Sequence, residues 1–426
     1  MKKVIKKIAL FLIVFGIGVG LTLIYANNKY KVYGEEEPKQ IKKHVNAISM
    51  MLETEAGSGN YEMTTRESWP TDGYVFNSTL SKCENGGELS WDDTNKRVLM
   101  SGNVSDKCYV YFDIKTKVLL ADYVKSLYTG TQGENNIYYH DSSLENGAGD
   151  DSYRYAGSSD TTNNYVCFGS DSSTCPEDNL YRIIGVFDGQ VKLIKATETT
   201  STLLGTDGAY VSDTSYKWSN LTSCSSDTTA YIHDSNVIRL ANKNIIAVPD
   251  TTVGCNDWKY SELNIKNLNT NYLNNIGTIW SNLIEDTTWK VSGHSANAVT
   301  PKAMYTAEIT NATKTYDPSD GVSKIGLVYA SDYGFAAEPS AWTTTLYNYD
   351  STTIRSVNWM YMGYTEWTIS PYYTISSSLY YIGYEGRLMF DGSGWGFKVR
   401  PVLYLKASVA YISGDGTQNS PFRIGN

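Results

Sequence analysis

The chain opens on Lys2, Lys3, Lys6 and Lys7 and then runs apolar and uncharged from Ile8 to about Ala26, a length that spans the hydrocarbon core of a bilayer. Flanking lysines stay on the cytoplasmic side, so residues 1–7 read as a cytoplasmic tail and residues 8–26 as a single-pass transmembrane helix. Everything after Ala26 is then expected outside the cell. A cleaved secretory signal is the competing reading, but Ile24 and Ala26 make a poor small-residue cleavage site. Behind Pro38, the residues Ile41, Val45, Ile48 and Leu52 recur at helical spacing and predict a juxtamembrane helix within residues 27–56.

Over residues 57–115 the pattern shortens to β-type runs such as "GYVF", "ELSW" and "CYVYFDI", each bounded by turn residues, which predicts a small all-β module. Residues 116–152 combine one amphipathic helix, "KVLLADYVKSLYTG", with "TQGENNIYYHDSSLENGAGDDS", a stretch polar and glycine-rich enough to read as a linker. Residues 153–426 read as one large α+β domain. Its signals are a hairpin turning at Asp188-Gly189 and a helix carrying Leu268, Tyr272, Ile276 and Leu283 on one face. Late strands are expected at "KIGLVYASD" and "KVRPVLYLK", and a final strand pair at "AYISGDGTQNSPFRI".

Charge removes one class of partner. With 36 Lys+Arg against 45 Asp+Glu the net charge is -9, and an acidic surface repels phosphate backbones, so nucleic acid is not expected as a ligand. The cysteines bear on compartment, since thiols outside the membrane are expected to be oxidised. Spacing alone does not fix their pairing. The simplest arrangement is sequential: Cys83 with Cys108, Cys167 with Cys175, and Cys224 with Cys255. No C-x-x-C occurs, which argues against a zinc ribbon or finger.

The segments "NLYRIIGVFDGQVKLIK", "EWTIS", "VRPVLYLK" and "SGDGTQNSPFRI" follow one another in an order that resembles bacterial surface proteins carrying a DUF6273-type domain. That domain is distantly similar to the formylglycine-generating-enzyme and C-type-lectin-like group of folds, and the resemblance covers roughly residues 150–426. It implies a C-type-lectin-like scaffold for the large domain. Lys398 stands where the family usually has glycine before Val-Arg-Pro. The catalytic chemistry of the formylglycine-generating group relies on cysteines late in the domain, and this chain has none after Cys255. Calcium-dependent sugar binding of the lectin type needs Glu-Pro-Asn or Gln-Pro-Asp with Trp-Asn-Asp, whereas only Glu338-Pro339-Ser340 and Asn256-Asp257-Trp258 occur. Acidic loops around Asp150 and Asp171 are of a kind that can hold a structural calcium, but solvated loop carboxylates are far commoner, and no cofactor is expected.

Acid-base chemistry finds little material. The histidines are His44, His140, His233 and His294, and Asp234 beside His233 points to the opposite face if the segment is a strand. Glu366, Trp367 and Arg400 sit in apolar surroundings and are expected to form a structural network, because an unpaired buried guanidinium is very costly. The candidate surface is the segment from about Met360 to Phe397. There Tyr361, Tyr364, Tyr372, Tyr373, Tyr380, Tyr381, Tyr384 and Trp395 alternate with serines and glycines, the composition of antibody-like binding surfaces. Consecutive Tyr372-Tyr373 and Tyr380-Tyr381 place aromatics on both faces of any strand, so some are expected to face out. These observations predict a membrane-anchored cell-surface binding or adhesion protein with an external protein or glycan ligand. An enzyme on an extracellular polymer would need two carboxylates such as Glu366 and Asp391 in one cleft. A structural surface subunit is the third expectation.

Overall fold

A computed structural model describes residues 48–425 apart from 66, 71–72, 103–105, 221–237, 240–244, 248–254 and 321–323. The expected anchor over residues 8–26, His44 and the His233-Asp234 pair lie outside the described residues, and among the described ones no helix is long and apolar enough to cross a membrane. The protein is a mixed α+β chain with several β-sheets and few helices. It divides into two compact units between Lys117 and Val118.

In the first unit, the expected juxtamembrane helix is a strand where it is described: β1, Ile48–Glu53. The reason lies in arithmetic. A spacing of four fits one turn of helix and also two steps of a strand, so Ile48 and Leu52 satisfy both, and Met50 between them settles the matter by packing with them against Val110 and Phe112. β1 pairs antiparallel with β2 (Tyr61–Met63), as Met51 opposes Met63. Strands β3 (Tyr74–Phe76), β4 (Lys82–Cys83) and the hairpin β5 (Glu88–Asp92) to β6 (Arg97–Ser101) follow, then β7 (Cys108–Ile114). β7 is the hub, parallel to β1 and antiparallel to β3 and β4. The module therefore begins by Ile48, earlier than residue 57. Its core is small and aromatic, with Trp91 edge-on to Phe112 at 5.6 Å. Cys83 faces Cys108 in register and the two are bonded, a cross-link suited to so little buried area.

The second unit is organised by an antiparallel sheet that takes in the supposed linker. The helix Leu120–Ser126 buries Leu120, Ala121 and Val124, and the polar stretch after it contains β8 (Ile137–His140), with Ile137 and His140 fully buried. β8 pairs with β9 (Ser152–Tyr155), and β9 with β11 (Leu180–Phe187), which also carries β10 (Tyr165–Cys167). The turn from β11 to β12 (Gln190–Lys195) uses Asp188 at φ 48° and Gly189 at φ 79°, the pair of left-handed residues that a two-residue hairpin of matching twist requires. Further on come a small hairpin, β13 (Tyr210–Ser212) to β14 (Ser215–Tyr216), and β15 (Ile325–Gly326). Three strands form a separate sheet, β16 (Glu366–Pro371), β17 (Ser378–Ile382) and β18 (Leu388–Gly392), before β19 (Val402–Tyr404) completes the main sheet in the order β15-β19-β12-β11-β9-β8. The chain ends on the pair β20 (Ala410–Ser413) and β21 (Arg423–Gly425).

Two expected elements are reshaped. The long helix is a π-helix over Leu263–Tyr272, followed by short α-helical turns broken at Gly277. Its wider winding brings i, i+5 neighbours together: Asn269 Nδ2 donates to Asn264 Oδ1 at 2.7 Å, and Thr270 Oγ1 to the Ile265 carbonyl at 2.8 Å. The late strand at "KIGLVYASD" is only two residues long and gives way to a buried helix, Ala330–Phe335. That helix is capped from outside its own sequence. Glu308 accepts from the Ala330 N–H at 3.0 Å and the Ser331 N–H at 3.1 Å, and also from the Ser370 hydroxyl.

Candidate functional site

The Tyr-rich segment is built on β16, β17 and β18, and register decides where each ring goes. Tyr380 opposes Phe390, and Tyr381 opposes Met389. On one face Tyr372 stacks on Phe390 at 3.9 Å and Tyr380 stands edge-on to Tyr372 at 5.4 Å. The Tyr380 hydroxyl is tied to the carbonyls of His294 and Ala296 at 2.8 Å each, and Tyr372 donates to the Ser295 carbonyl at 2.7 Å. A loop therefore covers this face. On the other face Tyr381 packs on Phe397 at 4.7 Å, which in turn lies 4.4 Å from Trp367.

Both faces are thus packed, and of the two consecutive pairs it is Tyr373 alone that is exposed, at 41%. Tyr380 is fully buried, and burial pushes its hydroxyl well above the ordinary phenol range. Tyr361, Tyr364, Tyr372 and Tyr381 are half-buried. Tyr361 donates to the Tyr384 carbonyl at 2.8 Å, and burial pushes the Tyr364 hydroxyl well up.

The exposed rings sit in turns, at the two ends of this sheet. Tyr384 lies in the turn between β17 and β18. Tyr373 and Trp395 belong to the opposite end. There the turn after β16 and the turn after β18 lie side by side, because the Ser393 N–H donates to the Ser377 carbonyl at 2.8 Å. Trp395 is held by its Nε1, which donates to Asp391 Oδ1 at 2.9 Å. Gly396 lets Val211 close in: a Cβ there would meet Val211 Cγ1 at 3.1 Å. Tyr373, Ile375, Trp395 and Val211 are 41%, 42%, 58% and 47% exposed, a concentration of large apolar side chains at one sheet end. Val211 was missed from the sequence because it lies far back in the chain and is brought here by long-range contacts such as the bridge between Tyr216 and Phe397 and the Trp218 N–H to the Ser393 carbonyl.

Beneath the other end, Arg400 Nε and Nη2 each donate to Glu366 at 2.6 Å, with both residues 1% exposed, and Nη2 also donates to the Met360 carbonyl at 2.9 Å. Both oxygens of Glu366 are engaged by this fork. Glu366 aligns with Ile382 and Leu388, whereas Asp391 aligns with Leu379 nearer the far end. The two carboxylates therefore share no cleft. Lys398 pairs with the Thr214 hydroxyl and reaches Glu198 at 3.8 Å.

A second polar cluster had gone unread. Asp332 accepts from Arg154 Nη1 at 2.9 Å and Lys192 Nζ at 2.5 Å, and Arg154 Nη2 donates to Asp150 at 2.6 Å. Arg154 lies over Phe187 at 4.6 Å and Lys192 over Tyr329 at 4.4 Å. Burial opposes the ionised form of Asp150, but Arg154 outweighs it and holds the carboxyl down to about 2. Asp150 is thus already occupied by a cation of the protein's own. The available signal was Lys192 within "QVKLIK", an inward-facing position on a central strand. Glu308, with no cation against it among the described residues, is pushed by burial up to about 7. His140 packs against Trp342, and burial holds it neutral, well below its ordinary value. Among the described residues no group of three or more His, Cys, Asp or Glu side chains forms a metal cradle.

Two disulfides, Cys83–Cys108 and Cys167–Cys175, are described; Cys255 is disulfide-bonded as well, and Cys224, its expected partner, lies outside the described residues. No protein-family model, curated protein or solved structure matches the chain.

Proposed function

We propose that the protein is a membrane-anchored cell-surface receptor or adhesin. Its second unit is a C-type-lectin-like, DUF6273-type scaffold that captures an external protein or glycan. The observation that carries this reading is the exposed apolar set Tyr373, Ile375 and Trp395 on two hydrogen-bonded turns at one end of the sheet, with Val211 of β13 beside Gly396. Exposed aromatics on fixed backbone lose little freedom on binding. This narrows the surface: Tyr380 belongs to the scaffold, and Tyr384 lies at the far end. The motif order supports the scaffold, as does the meeting of the unit's first residues with its late strands, where Leu119 bridges Ala410. The disulfides fit an oxidising exterior, and the Lys-flanked apolar run supplies the anchor.

The test is a screen of the chain on glycan and protein arrays, with Tyr373→Ala/Trp395→Ala beside wild type. Capture by the wild type and its loss in a variant that melts normally is expected. Undiminished capture by the variant would place the ligand elsewhere. Protease added to intact cells is expected to remove the chain beyond Ala26.

A further inference from the structure

A pocket of about 350 Å³ opens on a different part of the second unit, lined by none of the residues of the Tyr-rich surface. Its volume falls at the small end of the range for small-molecule sites. One wall is the loop Ser170 to Ser173, and that loop is closed by the Cys167–Cys175 disulfide across a separation of 8 residues. The terminal strand pair also lines it, through Ile412, Ser413, Arg423 and Ile424. Trp280 completes the lining, edge-on to Phe168 at 5.4 Å.

Its chemistry is specific. Arg423 donates from Nη2 to the Ser173 carbonyl at 2.7 Å, which holds the guanidinium across the pocket with other N–H groups to offer. Asp171 is the other charged residue of the lining, so the pair balances and does not favour an ionic ligand. What remains in the lining is several serines, one fork of donors, one fork of acceptors and the apolar side chains of Trp280 and Ile412. Vicinal hydroxyls on the edge of a ring suit the forks, and the C–H face of the same ring suits Trp280 and Ile412. We infer that this pocket binds one neutral sugar ring, by direct hydrogen bonds and without a metal. The disulfide makes it ready-formed, since the wall does not have to be ordered on binding. The site stands independently of the Tyr-rich surface.

Saturation-transfer NMR on the full chain in a sugar-free detergent, against methyl glycosides of a neutral hexose, an N-acetylhexosamine and a hexuronate, tests this. Saturable binding of a neutral glycoside is expected, weakened about tenfold by Arg423→Met and by Asp171→Ala, and untouched by Trp395→Ala. Asp171 is exposed, so its variant decides alone if Arg423→Met lowers the melting temperature. Absence of neutral-sugar binding, preference for the uronate, equal binding by wild type and Asp171→Ala, or loss in Trp395→Ala would each overturn the assignment.

Discussion

The strands and the turns of the three-stranded sheet use the same kinds of residue for opposite ends. Within the strands, Tyr380 and Trp367 are no more than 1% exposed and their polar atoms are bonded to backbone carbonyls. In the adjoining turns, Tyr373 and Trp395 stand 41% and 58% exposed. Composition is the same in both places; what differs is whether another segment covers the ring. The 294–296 loop covers one face and Phe397 the other; at the sheet end the loop meets the Tyr373 N–H at 3.3 Å but leaves the residue 41% exposed. An aromatic-rich segment is therefore a binding surface only where its backbone turns away from its cover.

The contrast is broken most forcefully at its buried foundation. Arg400→Ala would leave Glu366 as an unpaired carboxylate at 1% exposure, and a loss of about 3–5 kcal/mol is expected in denaturant unfolding. Replacing both residues by apolar ones of similar size should recover much of that loss, because the cost lies in the stranded charge. Tyr380→Ala is expected to cost a similar amount, about 3–5 kcal/mol, as an emptied aromatic site in a core. A Tyr380 variant with unchanged stability would mean that the ring is not core at all.

How far the sequence carried these assignments depends on range. The Asp188-Gly189 hairpin was legible because two adjacent residues specify it, and Cys83 with Cys108 because short loops favour local pairing. β1 was misread because a spacing of four serves helix and strand alike, and β8 because its partner β9 lies beyond a polar loop. The site was legible as a segment but not as a surface. Nothing in "SSSLYYIGY" says that a loop near residue 295 will cover Tyr380, or that Val211 will come to lie beside Gly396.

Glu308 offers a break of intermediate size, read by pH. Burial raises its carboxyl to about 7 in the folded chain from an ordinary value of 4.5. The folded state therefore holds the proton more tightly, and this contribution is fully present below about 4.5 and is lost as pH rises through about 7. The difference amounts to about 3 kcal/mol. Asp150 has the opposite sign, with its carboxyl lowered to about 2 from 3.8, so its contribution is present above 3.8 and lost only as the solution approaches pH 2. His140, held neutral below its ordinary 6.5, gains stability as pH rises over much of the same window, so the Glu308 contribution is read as a difference in melting temperature: wild type should lose stability relative to Glu308→Gln as pH rises from about 4.5 to 7. A constant difference between the two across that window would assign no pH dependence to Glu308. Slightly smaller is the staple at the sugar pocket: Cys167→Ser/Cys175→Ser opens a loop of separation 8, with a loss of about 2–3 kcal/mol expected from the regained loop entropy.

The smallest stability effect carries the largest functional one. Trp395→Ala and Ile375→Ala change side chains that are 58% and 42% exposed, and surface substitutions of this kind stay within about 0.5 kcal/mol. Truncated aromatic anchors at the centre of an interface, by contrast, lose about 2 kcal/mol of binding or more. Trp395 should carry the greater share, because its indole is held in place by Asp391 at 2.9 Å before any ligand arrives. Asp391→Ala is therefore expected to weaken capture without touching the ligand, by freeing the ring, while Tyr384→Ala at the opposite end should leave capture unchanged. Equal losses from Tyr384 and Trp395 would mean that the ligand spans the whole sheet edge, and the division between its two ends would then have no functional meaning.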